Sequence, residues 1–151
     1  MTGKTHFIGG ILAGVLITQA LDISIGYAAI SGIGALFPDI DEPNSTVGRR
    51  IPGSFLVKFL FGHRGFWHSL LAAALVYFLL LGIASNTIAV LFVAGYISHL
   101  LLDAMTPSGV LFLYPIKHSY TLNLIRTGGI SEYAFMVVLL TIVFITGGMK
   151  V

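Results

Sequence analysis

The sequence contains no cysteine, and this absence removes several classes of chemistry. Disulfide cross-links, thiolate metal sites and cysteine nucleophiles are all excluded. Any metal site must therefore use histidine nitrogen and carboxylate oxygen. The chain also lacks a Walker-type phosphate loop and a GxSxG nucleophile elbow. Neither P-loop nucleotide chemistry nor an α/β-hydrolase mechanism is therefore indicated.

Charged residues are scarce. They make up 9% of the 151 residues, against roughly 25% in an ordinary soluble domain. Hydrophobic residues make up 56%, and eight basic residues against six acidic ones give a net charge of +2. This composition is too apolar for a soluble globule or a disordered chain, and it lacks the basic stripe of a nucleic-acid binder. It predicts one integral membrane domain over residues 1–151, with membrane lipids and no nucleic acid as partners.

Polar stretches divide the chain into about five apolar helices, which predicts an all-α polytopic membrane bundle. The predicted helices cover about residues 6–20, 24–38, 66–84, 87–105 and 131–147. A further apolar segment at 54–62 is too short to span and is typical of an interfacial or re-entrant piece. We interpret the first two helices as a tight pair rather than one long tilted span. Asp22 lies between them, and a single span would place it near the bilayer centre.

Five helices of alternating direction predict that positive charge is distributed unequally between the two sides of the membrane. Seven of the eight Lys and Arg residues fall on the side of the N-terminus and the two long loops, and only Lys150 falls on the other. Positively charged loops are retained in the cytoplasm. We therefore expect a multi-pass protein of the inner (plasma) membrane whose loop-rich side is cytoplasmic.

The histidines and acidic residues follow the same alternation. His6 opens the first helix, the run PDID closes the second, HRGFWHS opens the third, and SHLLLD closes the fourth. Helices of alternating direction therefore bring seven side chains to one end of the bundle. These candidate metal ligands are His6, Asp39, Asp41, His63, His68, His99 and Asp103.

These residue types suit divalent metal ions. His99 and Asp103 are four residues apart, so they share one helix face and can reach one ion. Each element alone has a more ordinary interpretation, as an interfacial hydrogen-bonding histidine, an ion pair or a solvated turn. Together they favour a metal site, because ionisable groups inside a membrane are costly and usually functional. Seven candidates exceed the ligands of one zinc ion, so we expect two or more ions, most simply Zn²⁺.

Other polar residues are assigned weaker roles. Arg64 lies between the two histidines of HRGFWHS, where its guanidinium group could bind a phosphate. Arg49, Arg50 and Lys58 are more simply explained by contacts with anionic headgroups. Glu42, His118 and Glu132 are interpreted as surface residues, with Glu42 or Glu132 as alternative general bases. Asp41 is our first choice for the catalytic carboxylate.

The ordered motifs resemble a known family. His6, PDIDEPNS, HRGFWHS and SHLLLDAMTPSG followed by LYP are similar to the YdjM-like bacterial inner-membrane metal-dependent hydrolases, over roughly residues 5–116. That family is grouped with the zinc-dependent phospholipase C and P1 nuclease superfamily. The resemblance implies a helical fold with His and Asp ligands around clustered zinc ions, and cleavage of phosphoesters. By the same resemblance, the seven residues named above would be the metal-site residues.

The function expected from the sequence is therefore hydrolysis of a phosphoester of a lipid or lipid-linked substrate at the cytoplasmic interface, as in a phospholipase C or a phosphatase. A metal-activated hydroxide would attack phosphorus, with Asp41 assisting proton transfer and Arg64 neutralising the phosphate. Two other classes remain open. One is a membrane interaction or scaffold protein with a structural metal site, and the other is a metal-ion transporter.

Overall fold

The computed structural model describes residues 1–42, 45, 48–50 and 65–148. The predicted interfacial segment at 54–62 lies outside these residues. The described ranges contain helices and turns and no strand, apart from an isolated bridge between Val110 and Tyr120. Within these described ranges, the all-α fold and five helices are confirmed. The helices are α1 (Gly3–Ala20), α2 (Ala28–Gly34), α3 (Leu70–Leu81), α4 (Asn86–Ala104) and α5 (Ile130–Gly148).

Of the five predicted helices, the second differs most from the helix that the structure contains. The chain over 24–38 forms a 3₁₀ turn at Ile25–Tyr27, the seven-residue α2, and another 3₁₀ turn at Pro38–Asp41. Glycine and serine are weak helix formers, and proline cannot continue a helix, so this segment breaks into short pieces. A turn around Asp22, which has a φ of 54°, separates α1 from α2. The first two helices are therefore a pair and not one long span.

Serine side chains define where two helices begin. The Ser69 hydroxyl accepts a hydrogen bond from the Ala72 backbone N–H at 3.2 Å, and Ser85 does the same for Ile88 at 3.4 Å. Both are N-cap bonds that satisfy a donor left open by the first helical turn. The cap at Ser69 makes α3 start later than predicted, so His68 lies in a 3₁₀ turn just before the helix.

Small residues allow α2 to pack closely between α1 and α4. A side chain at Gly10 would meet the Ser31 carbonyl oxygen at 2.5 Å, and one at Gly14 would meet Ala28 Cα at 2.7 Å. On the other side, a side chain at Gly95 of α4 would collide with the same Ser31 carbonyl. This is the close helix approach that small-residue spacing permits in membranes.

The alternation of helix direction brings the chain repeatedly to one end of the bundle. The start of α1, the turn after α2, the start of α3, the end of α4 and the start of α5 are joined there by contacts described below. By length and apolar composition, α4 and α5 can cross a membrane, whereas α3 is apolar but shorter. Most of α5 exposes apolar side chains such as Phe144, which is 84% exposed. Contact with lipid explains this apolar surface better than contact with water does.

We predict that Gly95→Ala destabilises the protein by about 1–3 kcal/mol, because its new methyl group must displace the backbone of α2. The effect should appear as a lower Tm of the purified protein in detergent. Gly26→Ala is the matched control, since its methyl group would meet only the Ser24 hydroxyl at 3.6 Å. Equal Tm values for the two variants would show that the helices separate at little cost.

Candidate metal centre

Five of the seven predicted ligands lie together at one end of the bundle. They come from four separate elements: α1, the 3₁₀ turn after α2, the 3₁₀ turn before α3, and the last turns of α4. We call these side chains the His/Asp cluster. It consists of His6, Asp39, His68, His99 and Asp103.

His99 occupies the middle of the cluster, and its orientation is fixed by a backbone carbonyl. Its Nδ1 lies 2.7 Å from the carbonyl oxygen of Ala35. Because a carbonyl can only accept, Nδ1 must carry the proton. The lone pair of His99 is therefore on Nε2, which faces the other members of the cluster. A histidine held in this way is typical of metal ligands.

Asp103 lies one helical turn after His99, and its two oxygens face different histidines. Oδ1 is 3.3 Å from His6 Nε2, and Oδ2 is 3.5 Å from His99 Nε2. The His6 and His99 rings stack with a centroid distance of 3.7 Å. The α-amino group of Met1 also donates to Oδ1, at 2.6 Å. All these groups are nearly inaccessible to solvent.

His68 faces carboxylates on both of its ring nitrogens. Nε2 lies 3.8 Å from Asp39 Oδ1, and Nδ1 lies 3.3 Å from Asp41 Oδ2. Burial alone would lower the pKa of His68, but the carboxylates of Asp39 and Asp41 outweigh it and raise that pKa to about 9. Burial likewise opposes ionisation of Asp39, but His68 and the other histidines hold the pKa of this carboxyl below its ordinary value. The surroundings of His68 therefore stabilise positive charge.

The cluster contains two overlapping sets of three potential ligand atoms. One set is His6, His99 and Asp103, and the other is Asp39, His68 and His99. Ligand atoms about 2.1 Å from a tetrahedral zinc ion lie about 3.4 Å from one another. The separations of 3.3–3.8 Å around His99 Nε2 match this spacing. Because His99 Nε2 has a single lone pair and can bind only one ion, the donor set fits two neighbouring ions of which one is bound by His99.

Asp41 belongs to neither set. It is fully buried, and the contact with His68 Nδ1 places it behind the histidine and away from the centre of the cluster. The sequence predicted Asp41 as a metal ligand and as the catalytic carboxylate. Its position fits a different role, in which it orients His68 and makes the imidazole a stronger donor.

Glu132 is a residue whose importance the sequence analysis missed. We interpreted it as a surface residue, but it is 2% exposed. Its Oε1 accepts hydrogen bonds from the Thr2 backbone N–H and the Thr5 hydroxyl, and Oε2 accepts one from the Gly128 N–H, each at 2.6 Å. Glu132 thus fastens the start of α5 to the turn of α1 that carries His6. Only its position in the first turn of an apolar helix hinted at this role.

The remaining residues singled out in the sequence either lie outside the described residues or are not members of the His/Asp cluster. His63 and Arg64 are outside the described residues, as is Lys58. Arg49 is exposed and donates from Nε to the Ser45 carbonyl oxygen at 3.2 Å. His118 is exposed and packs edge-on against Tyr120. Glu42 is partly buried at the end of the turn that carries Asp39.

An apolar helical protein with a buried His/Asp cluster at one end belongs to the class of membrane proteins with a candidate metal centre. Comparison of the sequence with known protein families identifies the family. The chain belongs to the YdjM inner membrane protein family, whose model matches residues 1–150. The predicted membership of the YdjM-like inner membrane family is therefore confirmed, whereas the link to metal-dependent hydrolases and to the phospholipase C superfamily stays a prediction.

Individual relatives agree with this assignment. The chain is 39% identical to the Bacillus subtilis protein YvsG, described as uncharacterized, over 87% of this chain and 85% of the relative. It is 41% identical to the inner membrane protein YdjM of Escherichia coli over 60% of this chain and 50% of the relative. The same figures hold for YdjM of Shigella flexneri. No solved structure matches the chain.

We predict that Asp41→Asn weakens zinc binding by about 10–100-fold, because the amide keeps the shape of the carboxylate but not the charge behind His68. Zinc affinity of the purified protein, measured by competition with a chelating dye, tests this. Asp22→Asn, at the opposite end of α1, is the matched control. Unchanged affinity in Asp41→Asn would contradict the orienting role, and complete loss of zinc would make Asp41 a direct ligand.

Proposed function

We propose that this protein is a membrane-embedded, metal-dependent hydrolase that cleaves a phosphoester of a lipid or lipid-linked substrate. The observation that carries this proposal is the pair of ligand sets that meet at His99. Paired divalent ions suit phosphoester chemistry, because they stabilise both the attacking and the leaving oxygen and make bound water acidic enough to react near neutral pH. Zinc is the ion whose preferred ligands and spacing the cluster matches best.

The charges of the cluster support the presence of cations. Asp39, Asp41 and Asp103 bring three carboxylates into a site that is largely shielded from water, and an isolated buried charge is very costly. His6 Nδ1 is also buried without a hydrogen-bond partner among the described residues. Two divalent ions would compensate the carboxylates and engage the histidine lone pairs.

The chain supplies further groups for a phosphate. Asp39 is the one member of the cluster with an appreciably exposed side chain, at 19%. A substrate would therefore reach the ions past Asp39, where a coordination position can stay open. We propose that Arg64, which lies four residues before His68 in the sequence and outside the described residues, pairs with phosphate oxygens of the substrate. General base catalysis would fall to a carboxylate at the same edge, with Asp39 better placed than Asp41.

A structural metal site is the second candidate. The set formed by His6, His99 and Asp103 is almost completely buried, and closed sites are typical of structural zinc. This observation favours an interaction or scaffold protein in which metal holds the helices together. The more open set around Asp39 favours catalysis.

We predict that His99→Ala and Asp103→Ala each bind less zinc and lose phosphoester hydrolysis, while the protein still inserts into the membrane. Metal analysis of the purified variants, together with a screen of phosphoester substrates, measures both properties. His118→Ala is the matched control, because this exposed histidine lies outside the cluster. If the two cluster variants keep wild-type zinc and activity, the proposed site is wrong. If the wild-type protein binds zinc but cleaves no phosphoester, the structural site is the correct function.

We also propose a multi-pass topology with the His/Asp cluster at the cytoplasmic face. The basis is the charge asymmetry, since Lys4, Lys117 and Arg126 all belong to the end that carries the cluster. Reporter fusions should place the N-terminus and the 106–130 loop in the cytoplasm and the end of α5 on the other side. Fusions that place the start of α1 and the end of α5 on the same side would contradict the five-span topology.

A further inference from the structure

An apolar groove runs along the outside of α1 at the end of the bundle that holds the His/Asp cluster. It has a volume of about 470 Å³, which is within the range of small-molecule pockets. Its walls come from the first two turns of α1, the residue after the α2 C-cap, and the second turn of α5. The lining residues are Gly3, Lys4, Phe7, Ile8, Leu36 and Met136.

The groove lies close to the cluster along the chain. Phe7 follows His6 directly, and the Cα atoms of neighbouring residues are about 3.8 Å apart. Leu36 lies three residues before Asp39, so their Cα atoms are within about 11 Å of each other. Asp39 is the partly exposed member of the cluster. A molecule seated in the groove could therefore place a phosphate at the accessible edge of the metal centre.

The lining has the chemistry of an amphiphile site. The side chains of Phe7, Ile8, Leu36 and Met136 offer only apolar surface. Among the described lining residues, Lys4 is exposed and supplies the one charged group. A positive charge at one point of an apolar channel complements an acyl chain joined to an anionic headgroup.

We propose that this groove binds an acyl chain of an anionic phospholipid and that Lys4 contacts its phosphate. The proposal deepens the proposed function, since it names a phospholipid as the substrate class and the groove as the site that orients it. Binding energy from the chain, which is remote from the reacting phosphorus, would help to hold the phosphate at the metal centre.

The test is photocrosslinking of the full chain in nanodiscs with phosphatidic acid that carries a diazirine in one acyl chain. Peptide mapping should place saturable crosslinks at residues 3–8 and at Met136. Ile8→Trp and Met136→Trp should each reduce these crosslinks by about fivefold or more, because an indole occupies the space that the chain needs. Leu79→Trp is the matched control, as Leu79 is 70% exposed on α3 and lies outside the groove.

The headgroup is tested separately. Wild-type protein should crosslink phosphatidic acid in preference to phosphatidylcholine bearing the same diazirine chain. Lys4→Gln should reduce this preference by about two- to fivefold, the size expected for an exposed ion pair. Lys117→Gln, an exposed lysine outside the groove, should leave it unchanged. Crosslinks spread evenly over α3 and α5, or equal effects of Ile8→Trp and Leu79→Trp, would overturn the proposal. Crosslinking that joins two copies of the chain through Phe7 or Ile8 would overturn it as well.

The experiments distinguish failure of the lipid-groove proposal from failure of the proposed hydrolase function. If Asp103→Ala loses zinc but keeps the groove crosslinks, the lipid site stands independently of the metal centre. If the hydrolase is active, Ile8→Trp should lower kcat/KM for a long-chain phosphoester and leave that for a short-chain analogue and the zinc content unchanged. An equal loss for both substrates would contradict the role of the groove in orienting the lipid.

Discussion

The close backbone approach of α2 to α1 and α4 is the constraint on which the candidate metal centre depends. Gly95 of α4 meets the Ser31 carbonyl of α2. One helical turn further along the same two helices, His99 donates to the Ala35 carbonyl. Gly10 of α1 meets the same stretch of α2, and His6 lies one turn beyond it. The register of small residues thus sets the positions of both stacked histidines, because interiors packed this tightly do not adjust continuously.

Electrostatics explains why such precise packing is maintained around polar groups. Burying carboxylates next to neutral histidines is unfavourable unless positive charge is present. The structure supplies part of this charge from the α-amino group of Met1 and from His68, whose pKa is raised to about 9. Each of these groups carries a single positive charge, so together they compensate only part of the negative charge of the three carboxylates. Divalent cations would satisfy all three and would use the nitrogen lone pairs that protons otherwise occupy.

The sequence predicted those features that depend on local spacing. The His99–Asp103 pair follows from helical periodicity, and the gathering of the cluster follows from alternating helix direction. The roles of Asp41 and Glu132 depend instead on contacts across the bundle. Asp41 and Asp39 are two residues apart, yet they face opposite nitrogens of His68. Glu132 is buried because Thr2 and Thr5, more than 120 residues away in sequence, donate to it. Spacing along the chain carries no signal for either contact.

The one-sided location of the ionisable groups bears on the choice between a hydrolase and a transporter. Transport requires alternating access to a site near the bilayer midplane. The cluster lies instead where four elements end or begin, and from His99 back to Asn86 α4 extends about 20 Å away from it. Along that length, from Asn86 to Ser98, α4 carries no charged residue or histidine. A cation leaving the cluster would therefore find no ligand that could replace His or Asp on this helix. The absence of such ligands along this described stretch of α4 favours the proposed resident metal cofactor over a transported ion.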